Sequence, residues 1–293
     1  MNQTSHAPLE AFLSVNDFSP NTVQAFRQDF RKFTRWYESA NGERYADERV
    51  TPRDISDFRR HLREVRRQAV STTNRALVVL RRYFGFLVKQ GVLTANPAEG
   101  VKELRRVMGP PKAIERLAVR RILREATVRR DRRGLAILSL MLYAGLRVGE
   151  VAALELSDLD LSERRGTVRV RDGKGRKERS VPLSIEARKA ISDHLGTRPP
   201  VEHAKVFTGR GGRPLGTDGI RYLVGRYGLS AEVKIHPHAL RHTMATEYLS
   251  ANQNDLVGLA QLLGHESIQT TSRYTRRTID VLSQATERVM YGS

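Results

Sequence analysis

Apolar residues recur every three or four positions through much of the first hundred residues, and each run sits behind a helix-start signal. Ser19-Pro20 precedes Val23, Phe26, Phe30, Phe33 and Tyr37, which share one helical face. Thr51-Pro52 precedes Ile55, Phe58, Leu62 and Val65 at the same spacing, and Ser71 precedes Leu77, Leu80, Phe84 and Leu87. The spacing predicts three helices packed as a small bundle, because helical periodicity is what a shared core demands of these aromatics. A row of base-stacking platforms is the alternative. Arg75, Arg81, Arg82 and Lys89 fall off the third stripe and give the bundle a basic outer face, either solvated or set against a partner. Gly91 and Asn96-Pro97 end the bundle, and the stretch KELRRVMGPPK, Lys102 to Lys112, reads as a linker because Gly-Pro-Pro cannot continue a helix. Residues 1–106 are assigned to a first domain, 107–113 to a linker and 114–293 to a second domain.

Beyond the linker the pattern predicts helices over 117–127, 135–143, 185–195, 217–227, 237–249, 255–263 and 278–290. The second of these is apolar enough to be buried on most sides. Short strands over 167–171 and 179–183 flank Asp172-Gly173-Lys174-Gly175, whose two glycines permit the positive φ angles of a hairpin turn. The fold class is therefore mainly α with a small β-sheet, an N-terminal helical bundle followed by an α+β domain.

The chain has 293 residues, 39% of them hydrophobic, and its longest apolar run, around Leu135 to Leu142, is far short of the ~20 residues that cross a bilayer. Its N-terminus, MNQTSHAPLE, has no basic-then-apolar leader, and a soluble cytoplasmic protein with no membrane partner is expected. No cysteine is present, which excludes disulfides and thiolate metal sites. Charge changes the picture most: 51 Lys+Arg oppose 32 Asp+Glu, a net +19 and a sequence pI near 10.8. Such a surface suits a polyanion, since each phosphate it neutralises releases condensed counterions. Only nine of the 51 cations are lysines, so an arginine-rich composition bias is the plain alternative.

Four segments of the second domain hold polar residues where packing alone would choose otherwise. AGLRVGEVAAL sets Arg147 after a Gly-Leu turn with Glu150 three residues on, either a surface pair or an arginine oriented by a carboxylate. The hairpin puts Lys174 at its tip and Lys177 behind it, in a chain that otherwise uses lysine sparingly. HPHALRHTMATEYL places His238 and Arg241 three apart on a helix opened by Pro237, as capping and packing residues or as a phosphate pocket at a helix N-terminus. LLGHESIQTTSRYTR adds His265, then Tyr274 between Arg273 and Arg276. Tyrosine, with a reference pKa near 10, needs cationic neighbours to act as a nucleophile.

Taken together, Arg147, Lys174, His238-x-x-Arg241, His265 and Tyr274, in the contexts GLRxxE, GKGxKxR, HxLRHTxAT and LLGHxSIxTTxxYT, closely resemble the catalytic domain of tyrosine site-specific recombinases of the Xer and phage-integrase type. The Ser-Pro-Asn-Thr helix start and the terminal NPAEGV are similar to that family's core-binding domain, so the likeness spans nearly the whole chain. The start AIERLAVRRIL departs from it, where a Leu-Thr helix cap is more usual.

The resemblance implies site-specific recombination through a covalent 3′-phosphotyrosyl intermediate. Tyr274 is the implied nucleophile, with Arg147, Arg241 and His265 on the non-bridging oxygens. Lys174 protonates the leaving 5′-oxygen, His238 assists proton transfer and Glu150 orients Arg147. Arg75, Arg81, Arg82 and Lys177 are the candidate DNA contacts. Bond energy is conserved, so neither ATP nor another cofactor is implied, and no acidic cluster accompanies the basic segments to hold a metal. The implied partners are double-stranded recombination sites, a homotetramer formed on DNA and a possible second recombinase. The terminal helix with Ile279, Leu282 and Val289 is the candidate for docking onto a neighbour. Two other classes fit parts of this pattern: a type IB topoisomerase-like enzyme, against which the helical first domain and the terminal helix argue, and a DNA-binding regulator without catalysis, against which the full set of catalytic positions argues.

Overall fold

The protein, a computed structural model, is described over residues 6–105, 113–171, 178–252 and 255–264. The chain divides into two units, Met1–Met108 and Gly109–Ser293.

Four helices build the first unit. The predicted stripes lie on α2 (Pro20–Asn41), α3 (Pro52–Arg60) and α4 (Val70–Lys89), preceded by α1 (Ala7–Val15). Ser19 accepts from the Thr22 N–H at 3.2 Å, and Thr51 and Asp54 form a reciprocal capping box. The stripes are core: Phe26, Phe30, Phe33, Tyr37, Ile55, Phe58, Leu77, Leu80, Phe84 and Leu87 are all buried. Phe33 meets Phe58 edge to face with ring centroids 5.2 Å apart.

Three details differ from the pattern. The nine-residue α1 adds Leu9, Phe12 and Leu13 to the core, but it starts behind His6 with no side-chain cap to announce it. Val65, expected inside, is 69% exposed. Residues His61–Val65 form a π-helical turn, and its wider winding carries a residue three after Leu62 off the buried face. Ser71 lies within the first turn of α4 instead of capping it, because the N-cap is Ala69, two residues earlier.

A buried acid locks this bundle. Asp47 accepts from the Tyr45 hydroxyl at 2.6 Å and from the Tyr83 hydroxyl at 3.0 and 2.9 Å, and lies 3.4 Å from His6 Nε2. Burial first, and the Asp47 charge second, push both tyrosines well above their ordinary range, so they stay protonated as donors. Asp47→Ala removes the acceptor that the Tyr45 and Tyr83 hydroxyls share and is expected to cost about 3 kcal/mol. The loss should appear as a lower melting midpoint in the Asp47→Ala variant than in the intact chain.

In the second unit, α6 (Arg132–Tyr143) is the central element, with every residue from Ala136 to Leu142 buried. Around it pack α5 (Arg116–Val128), α7 (Val148–Ala153), α8 (Ile185–Leu195), α9 (Thr217–Ser230) and α10 (Pro237–Ala251). α11 (Leu256–Leu263) closes against α10 through Met244, Ala245, Leu249, Leu259 and Leu263. The sheet is three-stranded and antiparallel, ordered β1 (Leu159–Leu161), β2 (Gly166–Val170), β3 (Arg179–Pro182). Val170 pairs with Arg179, so residues 171–178 join the predicted hairpin strands. The three-residue β1 is too short to show alternation and was not expected. The 278–290 helix and the turn at 172–175 lie outside the described residues.

Candidate active site

Arg147 is the N-cap of α7, and Glu150 is its third helical residue. The expected pair therefore forms as a cap: Glu150 Oε2 accepts from the Arg147 backbone N–H at 2.7 Å, and Oε1 accepts from its guanidinium at 2.8 Å. The same carboxylate takes a second, bidentate arginine. Arg179, the first residue of β3, donates Nη1 to Oε1 at 3.0 Å and Nη2 to Oε2 at 2.9 Å. Arg241 on α10 brings a third guanidinium, its Nη1 lying 3.9 Å from Glu150 Oε2.

The backbone fixes Arg241 as firmly as the carboxylate fixes Arg147. Its Nη1 donates to the Gly145 carbonyl at 2.5 Å and its Nη2 to the Leu263 carbonyl at 2.7 Å. One planar fork thus ties the turn before Arg147 to the end of α11, where the helix dipole favours a cation. Two glycines make room for this arrangement. Gly145 has φ +65°, and a Cβ there would sit 2.8 Å from Leu263 Cδ2; Gly264, φ +62°, would bring a Cβ within 2.9 Å of Arg179 Nη1.

Exposure assigns the parts. The side chain of Arg147 is 40% exposed, against 14% for Arg179, 12% for Glu150 and 3% for Arg241. One half-buried carboxylate faces three guanidinium groups, so the cluster keeps an excess of positive charge suited to an anion. Burial alone pushes the Glu150 carboxyl up, but the hydrogen bonds and charge of Arg179, then those of Arg147, reverse this and hold it below the ordinary glutamate range. Asp131, which caps α6, behaves alike: burial raises it, and the Tyr227 hydroxyl, the Gly134 N–H, Arg133 and Arg226 bring it below its ordinary value. A carboxylate with a lower pKa in the fold than in the unfolded chain contributes stability above the ordinary range and loses it as pH falls. The melting midpoint is thus expected to fall as pH drops from about 5 toward 3, less steeply in Glu150→Gln than in the intact chain.

Of the residues singled out from sequence, the fold brings Arg147, Glu150 and Arg241 together. His238 is exposed on the first turn of α10, its ring 4.2 Å from that of His242. Lys174, Lys177, His265 and Tyr274 lie outside the described residues. On the first unit, Arg82 is exposed, whereas two of the proposed DNA contacts have structural partners. Arg75 holds the buried Asp29 at 2.7 and 3.1 Å, and Arg81 donates to Glu103 and to the Val101 carbonyl. Arg31, Arg35 and Arg66, not singled out from sequence, line a groove beside Trp36. Arg179 stood within GKGxKxR, but its partners are 29 and 83 residues away, beyond any local spacing. Among the described residues, no group of three His, Asp or Glu is gathered in metal-holding proximity, and no helix is long and apolar enough to cross a membrane.

Comparison with known proteins gives the same answer along the chain. Residues 113–279 match the Phage integrase family, and residues 9–91 match the Phage integrase, N-terminal SAM-like domain. A tyrosine recombinase XerC of Listeria welshimeri is 34% identical over 278 residues, 90% of each chain. A tyrosine recombinase XerA of Thermococcus kodakarensis is 33% identical over 286 residues, covering 95% of this chain and 93% of its own. Among solved structures, a XerA recombinase superposes with a TM-score of 0.54 at 25% identity, covering 97% of this chain and 98% of that one. A XerH site-specific recombinase bound to its difH substrate superposes at 0.75 and 19% identity, over 98% of this chain and 85% of that one.

Proposed function

The chain belongs to the phage integrase family of tyrosine recombinases, and from that premise we propose a role for each residue of its site. The enzyme carries out site-specific DNA recombination by cutting and rejoining strands through a covalent 3′-phosphotyrosyl intermediate. In the proposed chemistry the Tyr274 oxygen bonds to the scissile phosphorus as the bond from phosphorus to the 5′-oxygen breaks. The tyrosine proton leaves with help from His238, and Lys174 delivers a proton to the departing 5′-oxygen. A 5′-hydroxyl of the partner strand then attacks the phosphotyrosyl link, restoring both tyrosine and phosphodiester. The number of phosphodiester bonds is unchanged, so no ATP is consumed.

Arg147 and Arg241, with His265, offset the charge that builds on the non-bridging oxygens. The convergence of Arg147 and Arg241 on the single carboxylate of Glu150 carries this reading, because it fixes two cations before substrate arrives. Arg147 is the exposed member; Arg241 acts from beneath it, where low dielectric strengthens its field. Residues 1–106 form the core-binding domain, 107–113 a linker and 114–293 the catalytic domain. Exposed Arg82, with Arg31, Arg35 and Arg66 in the Trp36 groove, supplies phosphate contacts on the first unit, while Arg75 and Arg81 contribute mainly by bracing it. Lys177 is a further DNA contact. The functional assembly is a homotetramer on two duplex sites in the cytoplasm.

A nicked suicide duplex carrying sites from the gene's own surroundings tests the reading. The wild-type chain, without added metal, is expected to accumulate a covalent protein–DNA adduct, and Tyr274→Phe none. An adduct retained by the variant contradicts it.

A further inference from the structure

Arg179, on β3, joins two other elements, α7 and α11, and holds no part in the chemistry above. Its Nη1 and Nη2 grip both oxygens of Glu150, and its Nε donates to the Leu262 carbonyl at 2.9 Å. All three nitrogens therefore donate within the protein, which commits the fork to Glu150 and the Leu262 carbonyl. Arg241 does the parallel work one residue along, taking the Leu263 carbonyl. Two guanidinium groups thus hold the consecutive carbonyls that close α11, and both lie against the same carboxylate. Glu150, in turn, accepts from the backbone N–H and the guanidinium of the half-exposed Arg147. Held by Arg147 alone, the carboxylate would follow that side chain's motion; Arg179 pins it from the buried side.

We propose that Arg179 is a positioning residue for strand cleavage: by fixing Glu150 against the end of α11 it sets the orientation of Arg147 and Arg241 toward the scissile phosphate. The inference rests on the recombinase reading. A lysine could not replace it fully, since an ammonium is a point charge and cannot span a carboxylate and a carbonyl as a planar fork does.

The test compares single-turnover cleavage of the suicide duplex by wild type, Arg179→Gln and Arg179→Lys, at saturating protein, on two substrates. One has an ordinary scissile phosphodiester. The other has a methylphosphonate there, whose neutral methyl replaces the charged non-bridging oxygen that the arginines serve. Arg179→Gln is expected to cleave the phosphodiester about 100-fold more slowly, as ångström-scale misplacement of a catalytic group does. Its Kd for the duplex should stay within about twofold of wild type, and the cleavage deficit on the methylphosphonate should shrink to less than about tenfold. Arg179→Lys should recover part of the rate. Equal deficits on both substrates, undiminished cleavage, or a loss of DNA affinity that accounts for the slower rate would overturn the proposal. If Arg179→Gln does not fold, the ratio of the two deficits in Arg179→Lys decides in the same way. A wild type that forms no adduct on either substrate defeats the recombinase reading itself, and the positioning role with it; a cleaving wild type with an unaffected variant defeats the positioning role alone.

Discussion

Arg241→Lys is expected to slow strand cleavage about 100- to 1,000-fold while DNA binding is retained. The substitution keeps the positive charge, so a site that needed only charge would tolerate it. What it removes is geometry. The guanidinium spans the Gly145 carbonyl at 2.5 Å and the Leu263 carbonyl at 2.7 Å, joining the turn that precedes Arg147 to the end of α11, which leads directly to His265. An ammonium bonds one carbonyl well and releases the other, leaving the two segments without a common anchor. Arg241→Gln should fall further, since it also loses the field at the phosphate. The measurement is a single-turnover cleavage rate beside a duplex-binding isotherm. A lysine variant within about threefold of wild type would show that charge alone suffices.

The second large effect is on stability. Glu150→Ala leaves the guanidinium groups of Arg147, Arg179 and Arg241 around an empty centre, two of them on mostly buried side chains. Removing one partner of such a cluster costs about 3–5 kcal/mol, because the uncompensated charges remain behind. In a unit of this size that is about 10 °C in melting midpoint. Added salt should restore part of the loss by screening the repulsion, whereas Glu150→Gln, which keeps an acceptor, should lose less. The check is a thermal melt of the three proteins at low and high salt. A Glu150→Ala melt unchanged from wild type would mean that the carboxylate does not hold the cluster.

Much of this fold was legible because packing leaves a periodic trace. Val23 to Tyr37, Ile55 to Leu62 and Leu77 to Leu87 mark their helices by spacing alone, and Ser19 and Thr51 cap where a helix start was read. The trace fails where an element is too short to repeat, as in α1 and β1, or where the helix changes its winding, as at His61–Val65. The Arg147–Glu150 pair was read as neighbours on a helix face; the structure makes the same contact as an N-cap reaching its third helical residue. Arg179 shows the limit of local reasoning, because its role comes from Glu150 and Leu262, which only the tertiary fold delivers. Arg75 and Arg81 show the converse. Spacing left these off-stripe arginines either solvated or set against a partner, and it could not show that Asp29, Glu103 and the Val101 carbonyl take them within the fold.

Cleavage by one tyrosine that keeps the 3′-phosphate can be read from the adduct itself: it is trapped on a nicked suicide duplex, protein and DNA are both digested, and the peptide and the nucleotide that stay joined are mapped. The expected product is a single peptide modified at Tyr274, linked through phosphate to a 3′-terminal nucleotide, with a free 5′-hydroxyl on the released strand. A link to any other residue, or a 5′-phosphotyrosyl bond, would contradict it.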